Sequence, residues 1–436
     1  MRRLTAFLLL FLPIFVFPAA PDVQSAFDEA ARTHDREFQT LLGTRGVKRE
    51  TIPITAERLT AALSRYYAGK AVGVLFYSHE NGILRIWSVG EGGIEAFEEK
   101  AITADDLAQI EKTLMDSLLV DTLSSSRRPR LRQVTTVTVA PMTHADPAEA
   151  IAAATRTLLP GSIARSLAGK KHLILVPVLN LGSIPFALLK PFGGETLLVE
   201  RMSLSVAPSL SDAVNAIERN TVSFGHSQTA EFPIEKPLIV GNPHFAEDAE
   251  WVLPQLPGAE AEALHVADLL GCADPLIGDA ATLQAIRSRA GDSDFLFFAT
   301  HGVADAVDPL DKSFLAVTPN GENNGFWTAR EIQHMRMNAD MAVLSACQTG
   351  LGKVQNAGII GLARAFQLAG VPHVVMSLWS VYDDATQELM GLFIRNLREG
   401  SDFFPADALR RAMLELRKTR PDPAEWAPFV VMGVPY

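Results

Sequence analysis

A chain of 436 residues that is 48% hydrophobic and 20% charged can bury one large core or two ordinary ones, and it is too apolar to be a disordered polymer. Its formal net charge of -11 is spread along the chain, which argues against nucleic acid as the main partner, although a local basic patch stays open. With only two cysteines, Cys272 and Cys347, a disulfide-stapled scaffold is excluded, although a single disulfide between them stays open for an exported chain.

Arg2 and Arg3 precede an apolar run from Leu4 to Ala20 that is broken by Pro13 and Pro18. A positive start followed by a short apolar stretch is the pattern of an export signal, and it is short for a span of about 20 residues. The expected location is periplasmic or secreted. Residues 1–25 are either removed, with a cut after Ser25, or kept as an anchor, and membrane contact is expected only if they are kept. No later stretch is apolar enough to span a bilayer.

Residues 27–150 read as a mixed α+β region. Ala56 to Tyr67 has helical periodicity. Ala71 to Tyr77 and Ile83 to Val89 are β-rich, and Asn81-Gly82 between them signals a hairpin. Leu107 to Leu118 is an amphipathic helix pattern. Arg127-Arg128-Pro129-Arg130-Leu131-Arg132 ends a polar, basic stretch that reads as a linker, and Val134 to Val139 reads as a strand.

From about residue 151 short apolar runs alternate with helical segments. The strand candidates are His172 to Val178, Pro237 to Val240, Asp294 to Thr300, Met341 to Ala346 and His373 to Leu378. The helix candidates are Glu260 to Leu270, Thr282 to Arg289, Ile359 to Ala369 and Ala385 to Leu397. This alternation predicts an α/β fold with a buried, mostly parallel sheet flanked by helices, whose sites form at the carboxyl ends of the strands.

Two of those strands run directly into reactive side chains, His301-Gly302 and Cys347-Gln348-Thr349-Gly350. If the strands are neighbours, an imidazole and a thiol face one crevice. A thiol near its ordinary pKa of about 8.5 is mostly protonated at neutral pH, and a nearby imidazole can take that proton and later deliver it to a leaving amine. Gly302 lets a backbone N–H approach a substrate carbonyl, and with the Cys347 amide it can form an oxyanion hole. A helix starting near Ala357 can add its positive dipole end. Taken singly, a strand-end cysteine is more often a small core residue than a nucleophile; it is the pairing with His301 that points to chemistry.

The segments Phe298-Ala299-Thr300-His301-Gly302 and Leu344-Ser345-Ala346-Cys347-Gln348-Thr349-Gly350 resemble the two signature blocks of CHAT domains. These are relatives of caspases, separases and gingipains, cysteine peptidases with His before Cys. The likeness continues through Ala357 to Phe366, Ala369-Gly370-Val371-Pro372, Ser377 to Asp384 and Trp426 to Gly433. Upstream, Pro185 to Leu189 and Gly241-Asn242-Pro243 also fit. It covers roughly residues 150 to 436, so the implied architecture is a caspase-like domain over 151–436 behind the α+β extension.

The resemblance implies peptide-bond hydrolysis through a thioester, with Cys347 as nucleophile, His301 as acid and base, and Gly302 and Cys347 amides at the oxyanion. A protein or peptide is the implied substrate, with no cofactor and no metal. Asp383 matches a separase position that helps to bind a P1 Arg; the plainer reading is that Asp383 or Asp384 caps the helix starting at Ala385. If P1 is basic, Arg127 to Arg132 is a candidate self-processing site as well as a solvated linker. A catalytically silent scaffold of the same fold stays open. The chain departs from the family in lacking a 34-residue helical repeat and in carrying Val178-Leu179-Asn180 where the family often has an Asp-Gly turn.

Overall fold

The computed structural model describes residues 22–43, 54–119, 130–131, 146–224, 234–245, 251–272, 274–305, 308–321, 323–346, 353–355, 358–399 and 405–435. Residues 1–21, the Val134 to Val139 strand candidate, most of the basic stretch and Cys347 lie outside them.

Asn81 and Gly82 adopt φ values of 52° and 74°, the left-handed pair that closes a two-residue hairpin. They join β1 (Val72–Glu80) to β2 (Ile83–Gly90), which pair from Glu80↔Ile83 onward, and β3 (Gly93–Ala101) pairs with β2. Two-residue β4 (Arg130–Leu131) follows, then β5 (His172–Val176), β6 (Ser203–Val206), β7 (Pro237–Pro243), β8 (Trp251–Val252), β9 (Leu276–Gly278) and β10 (Phe295–Thr300). The remaining strands are β11 (Gly302–Val303), β12 (Phe314–Ala316), β13 (Phe326–Thr328), β14 (Met341–Ala346), β15 (Lys353–Gln355), β16 (Gly358–Ile360), β17 (His373–Ser377) and β18 (Phe429–Met432).

Eleven of these form one sheet in the order β3-β2-β1-β5-β6-β18-β17-β14-β10-β7-β9. Its neighbours are parallel except at β1–β2, β2–β3 and β17–β18. The N-terminal hairpin therefore extends the same sheet, through the parallel β1–β5 pair. Each central strand is buried on both faces, which is why it reads as an unbroken apolar run. On β10, Phe295, Phe297 and Ala299 join one core layer while Leu296 and Phe298 join the other.

Helices Pro257–Leu270 and Asp383–Glu399 pack together on the first face, which also buries Trp379 and Trp426. On the second face, helices Leu283–Ala290 and Leu362–Ala369 cover β7, β10 and β14, with Phe298, Trp327 and Phe366 in mutual ring contact. At the other end of the sheet, helix Val23–Gly43 sets Phe27 against Phe76 of β1 and Trp87 of β2, with ring centroids 5.4 and 5.8 Å away. Burying each such ring stabilises the fold by about 2–3 kcal/mol.

The structure corrects several expectations. No helix runs through Ile359. The β-branched Ile359 and Ile360 instead lie in β16, which pairs antiparallel with β15, and the helix starts at Leu362 behind Gly361. The positive dipole end is therefore at Leu362, and Ala357 lies outside the described residues. Helix Asp383–Glu399 starts two residues before Ala385. Within the basic stretch, Arg130–Leu131 is a strand paired with β8. Leu179, in the atypical Val178-Leu179-Asn180 turn, takes a φ of 53°, so a leucine occupies a left-handed turn position that glycine suits best. Cys272 is a free thiol beside the Pro237 carbonyl at the start of β7, and its suggested partner Cys347 lies outside the described residues. Among the described residues no helix is long and apolar enough to cross a membrane.

Candidate active site

β10 and β14 are parallel neighbours whose register runs from Phe295↔Met341 to Thr300↔Ala346. Adjacent strands lie about 4.8 Å apart. The chain therefore leaves both strands side by side, with His301 next after Thr300 and Cys347 next after Ala346, although Cys347 itself is outside the described residues. Both exits are pinned. The Ser377 hydroxyl at the end of β17 donates to the Ala346 carbonyl at 2.6 Å. The Thr300 hydroxyl donates to the Ala316 carbonyl at 2.7 Å, and the Ala316 N–H donates to the His301 carbonyl at 2.9 Å.

The His301 side chain is fully buried, against Phe245 with ring centroids 4.8 Å apart. Its Nε2 lies 2.8 Å from the carbonyl oxygen of Pro254. A carbonyl only accepts, so Nε2 carries a hydrogen and donates it. In the neutral ring the lone pair is then on Nδ1. The imidazole is thus held in the tautomer whose other nitrogen can receive a proton.

Gly302 faces Leu315 across the β11–β12 pair. Because the Ala316 N–H bonds to the residue before Gly302, this is a non-hydrogen-bonded pair of the antiparallel ladder, and the Gly302 N–H turns away from β12. That amide is outside the ladder, as an oxyanion donor must be.

Asp383 opens helix Asp383–Glu399 half-buried, and its side chain lies against Gly258. A Cβ on Gly258 would stand 2.4 Å from Asp383 Oδ2 and 2.6 Å from its Cγ, so only glycine admits the carboxylate there. Gly258 follows Pro254 by four residues. His301 and Asp383 therefore border one short segment, Pro254 to Gly258. The neighbouring Asp384 is engaged elsewhere, by Arg420 at 2.9 Å, which also holds Glu388 and Glu425.

Pro254 and Phe245 were not legible as site residues. A backbone carbonyl can belong to any residue type, and Phe245 reads as core. Of the scattered histidines, His172 and His373 are core residues with filled partners: His172 lies between the Ser203 and Ser205 hydroxyls, and His373 between two backbone carbonyls.

The CHAT domain family model matches residues 130–434 of this chain. The chain belongs to the CHAT domain family. It is 27% identical over 306 residues to mouse (Mus musculus) tetratricopeptide repeat protein 28 and 26% identical over 307 residues to the human (Homo sapiens) protein of that name. Each match covers 60% of this chain and 12% of the relative, so the CHAT chain spans only a small part of those proteins. Among solved structures it is similar to separase from a Saccharomyces cerevisiae separase–securin complex, with a TM-score of 0.51 at 11% identity, over 87% of this chain and 31% of that one. It also resembles the Arg-specific cysteine proteinase gingipain R at a TM-score of 0.41 and 12% identity, over 66% and 67% of the two chains. The CHAT fold described above is caspase-like.

Proposed function

We propose that this CHAT domain is a cysteine endopeptidase in which His301 and Cys347 form the catalytic dyad. The supporting observation is the shared end of the β10–β14 register, Thr300↔Ala346, which is followed on both strands by the reactive residue. Nδ1 of His301 takes the proton of the Cys347 thiol, and the thiolate attacks the peptide carbonyl carbon. The oxygen becomes an alkoxide held by the Gly302 and Cys347 N–H groups, a contribution of about 3–4 kcal/mol per donor in other enzymes. Collapse breaks the C–N bond, and His301 delivers the proton to the departing amine. Water then attacks the thioester with His301 as base, releasing the acid and restoring the thiol. The Pro254 carbonyl steadies the imidazolium formed in both halves.

Asp383 is the proposed recognition group for a P1 Arg or Lys, whose cation a carboxylate at the cleft rim would pair with. The test is hydrolysis of a peptide pool with varied P1 residues by wild type, Cys347→Ala and His301→Ala. The expected result is cleavage by wild type alone, with all three equally folded. Cleavage by Cys347→Ala, or by none of the three, overturns the reading; the second outcome favours a scaffold.

A further inference from the structure

Gly241-Asn242-Pro243, at the end of β7, has no part in the dyad chemistry, yet its backbone is closely constrained. A Cβ on Gly241 would lie 2.4 Å from the Ala263 Cβ and 3.2 Å from the Ala259 carbonyl, so glycine is what lets helix Pro257–Leu270 press onto the strand. Asn242 takes a φ of 41°, a left-handed conformation that asparagine tolerates better than other side-chain-bearing residues. The β7–β9 register shifts between Gly241 and Pro243, beside this residue.

That unusual backbone turns the Asn242 carboxamide inward, 8% exposed, where both ends are used. Oδ1 accepts the Leu256 N–H at 2.6 Å, and Nδ2 donates to Glu260 Oε2 at 3.1 Å. Since Leu256 offers a backbone donor, the orientation of the amide is fixed by chemistry. Asn242 thus clamps the entry of helix Pro257–Leu270 at two points. Two residues before Leu256 stands Pro254, whose carbonyl receives the His301 Nε2–H at 2.8 Å. Pro254 and Pro257 stiffen the link between the clamp and the carbonyl, because a proline ring locks its own φ and restricts the residue before it.

We propose that Asn242 is a positioning residue for the His301–Cys347 reaction, which sets the imidazole by holding the segment that carries the Pro254 carbonyl. The proposal rests on the peptidase reading above. Asn242 touches no reacting atom. Its loss frees the acceptor that fixes the His301 ring, and a misplacement of about 1 Å at a reacting group costs roughly 100-fold in rate.

Two variants open the clamp differently. Asn242→Gly keeps the left-handed backbone without strain and removes both hydrogen bonds. Asn242→Asp keeps an acceptor for Leu256 but turns a second carboxylate on Glu260. Adding Glu260→Gln to Asn242→Asp rebuilds the second hydrogen bond with donor and acceptor exchanged.

The experiment measures alkylation of Cys347 by iodoacetamide in the full chain, by mass spectrometry in a Cys272→Ser background. It is paired with kcat and KM on a P1-Arg peptide. Asn242→Gly and Asn242→Asp are expected to slow alkylation and kcat roughly 10- to 100-fold with KM little changed, and the double variant to recover most of both. Alkylation of Asn242→Gly at the parental rate, in a protein where His301→Ala slows it, overturns the positioning role and leaves the dyad standing. Failure of the double variant to recover also overturns it. If His301→Ala itself leaves alkylation unchanged, the peptidase reading falls first.

Discussion

His301 donates its Nε2 hydrogen to the carbonyl of Pro254, 2.8 Å away across 47 residues of sequence. The bond ties the end of β10 to the segment that leads into helix Pro257–Leu270, and it selects one tautomer of the neutral ring. Nitrogen-15 NMR of histidine-labelled protein should report His301 as the Nε2–H form when neutral. An Nδ1–H resonance for that residue would contradict the assignment of Nδ1 as the base.

Gly258 and Asp383 make the second contact with that segment. Gly258→Ala puts a methyl group within 2.6 Å of the Asp383 carboxyl group and must displace it. Gly258→Ala and Asp383→Asn should therefore lower kcat/KM for P1-Arg peptides together, each by roughly tenfold for a lost charged contact of about 1.5 kcal/mol. Peptides with an uncharged P1 residue should be much less affected. A P1 profile unaltered in both variants removes Asp383 from the pocket.

Arg364, on helix Leu362–Ala369, pairs with Asp212 of helix Leu210–Phe224 at 3.1 Å, with side chains only 5% and 15% exposed. The pair joins the helix downstream of Cys347 to the N-terminal layer. Arg364→Met should destabilise the protein by up to about 3 kcal/mol, because it leaves the largely buried Asp212 carboxylate without its cation. Adding Asp212→Leu should recover much of the loss. Urea midpoints for the single and double variants make the comparison.

The pH dependence of stability has a traceable contribution from His172. Burial lowers its pKa from 6.5 to about 3, so the ring stays neutral between the Ser203 and Ser205 hydroxyls. In the unfolded chain it protonates near 6.5. As pH falls below 6.5 the unfolded state gains this proton first, so the contribution present above pH 6.5 is lost progressively down to about pH 3. His172→Gln lacks the group. The stability difference between wild type and that variant should shrink by about 1.4 kcal/mol per pH unit between pH 6 and pH 4. Parallel stability curves would show that His172 is not held neutral by the fold.

The centre of the fold was legible because doubly buried strands have no polar face to blur them. The apolar pattern marks Met341–Ala346 to the residue and Phe295–Thr300 to within one. Asn81-Gly82 announced its turn through the positive φ both residues adopt. Elements with one thin apolar stripe escaped. Helix Val23–Gly43 buries Phe27 and Ala31 in an otherwise polar sequence, and β3 carries Glu95, Glu98 and Glu99 at the outer edge of the sheet. β16 escapes as a strand because the small residues on either side of Ile359 and Ile360 suit the start of a helix equally well. At the site, His301, Gly302 and Asp383 announce themselves by residue type. The segment that borders His301 and Asp383 does not, because it meets them through the Pro254 carbonyl and the bare Cα of Gly258.

The most direct measurement is the mass and position of the adduct formed when the full chain reacts with a peptidyl acyloxymethyl ketone. One inhibitor should be bound per chain, on Cys347, and it should be absent from His301→Ala treated in the same way. Modification of Cys272 in place of Cys347, or equal modification of Cys347 with and without the imidazole, would contradict a working dyad.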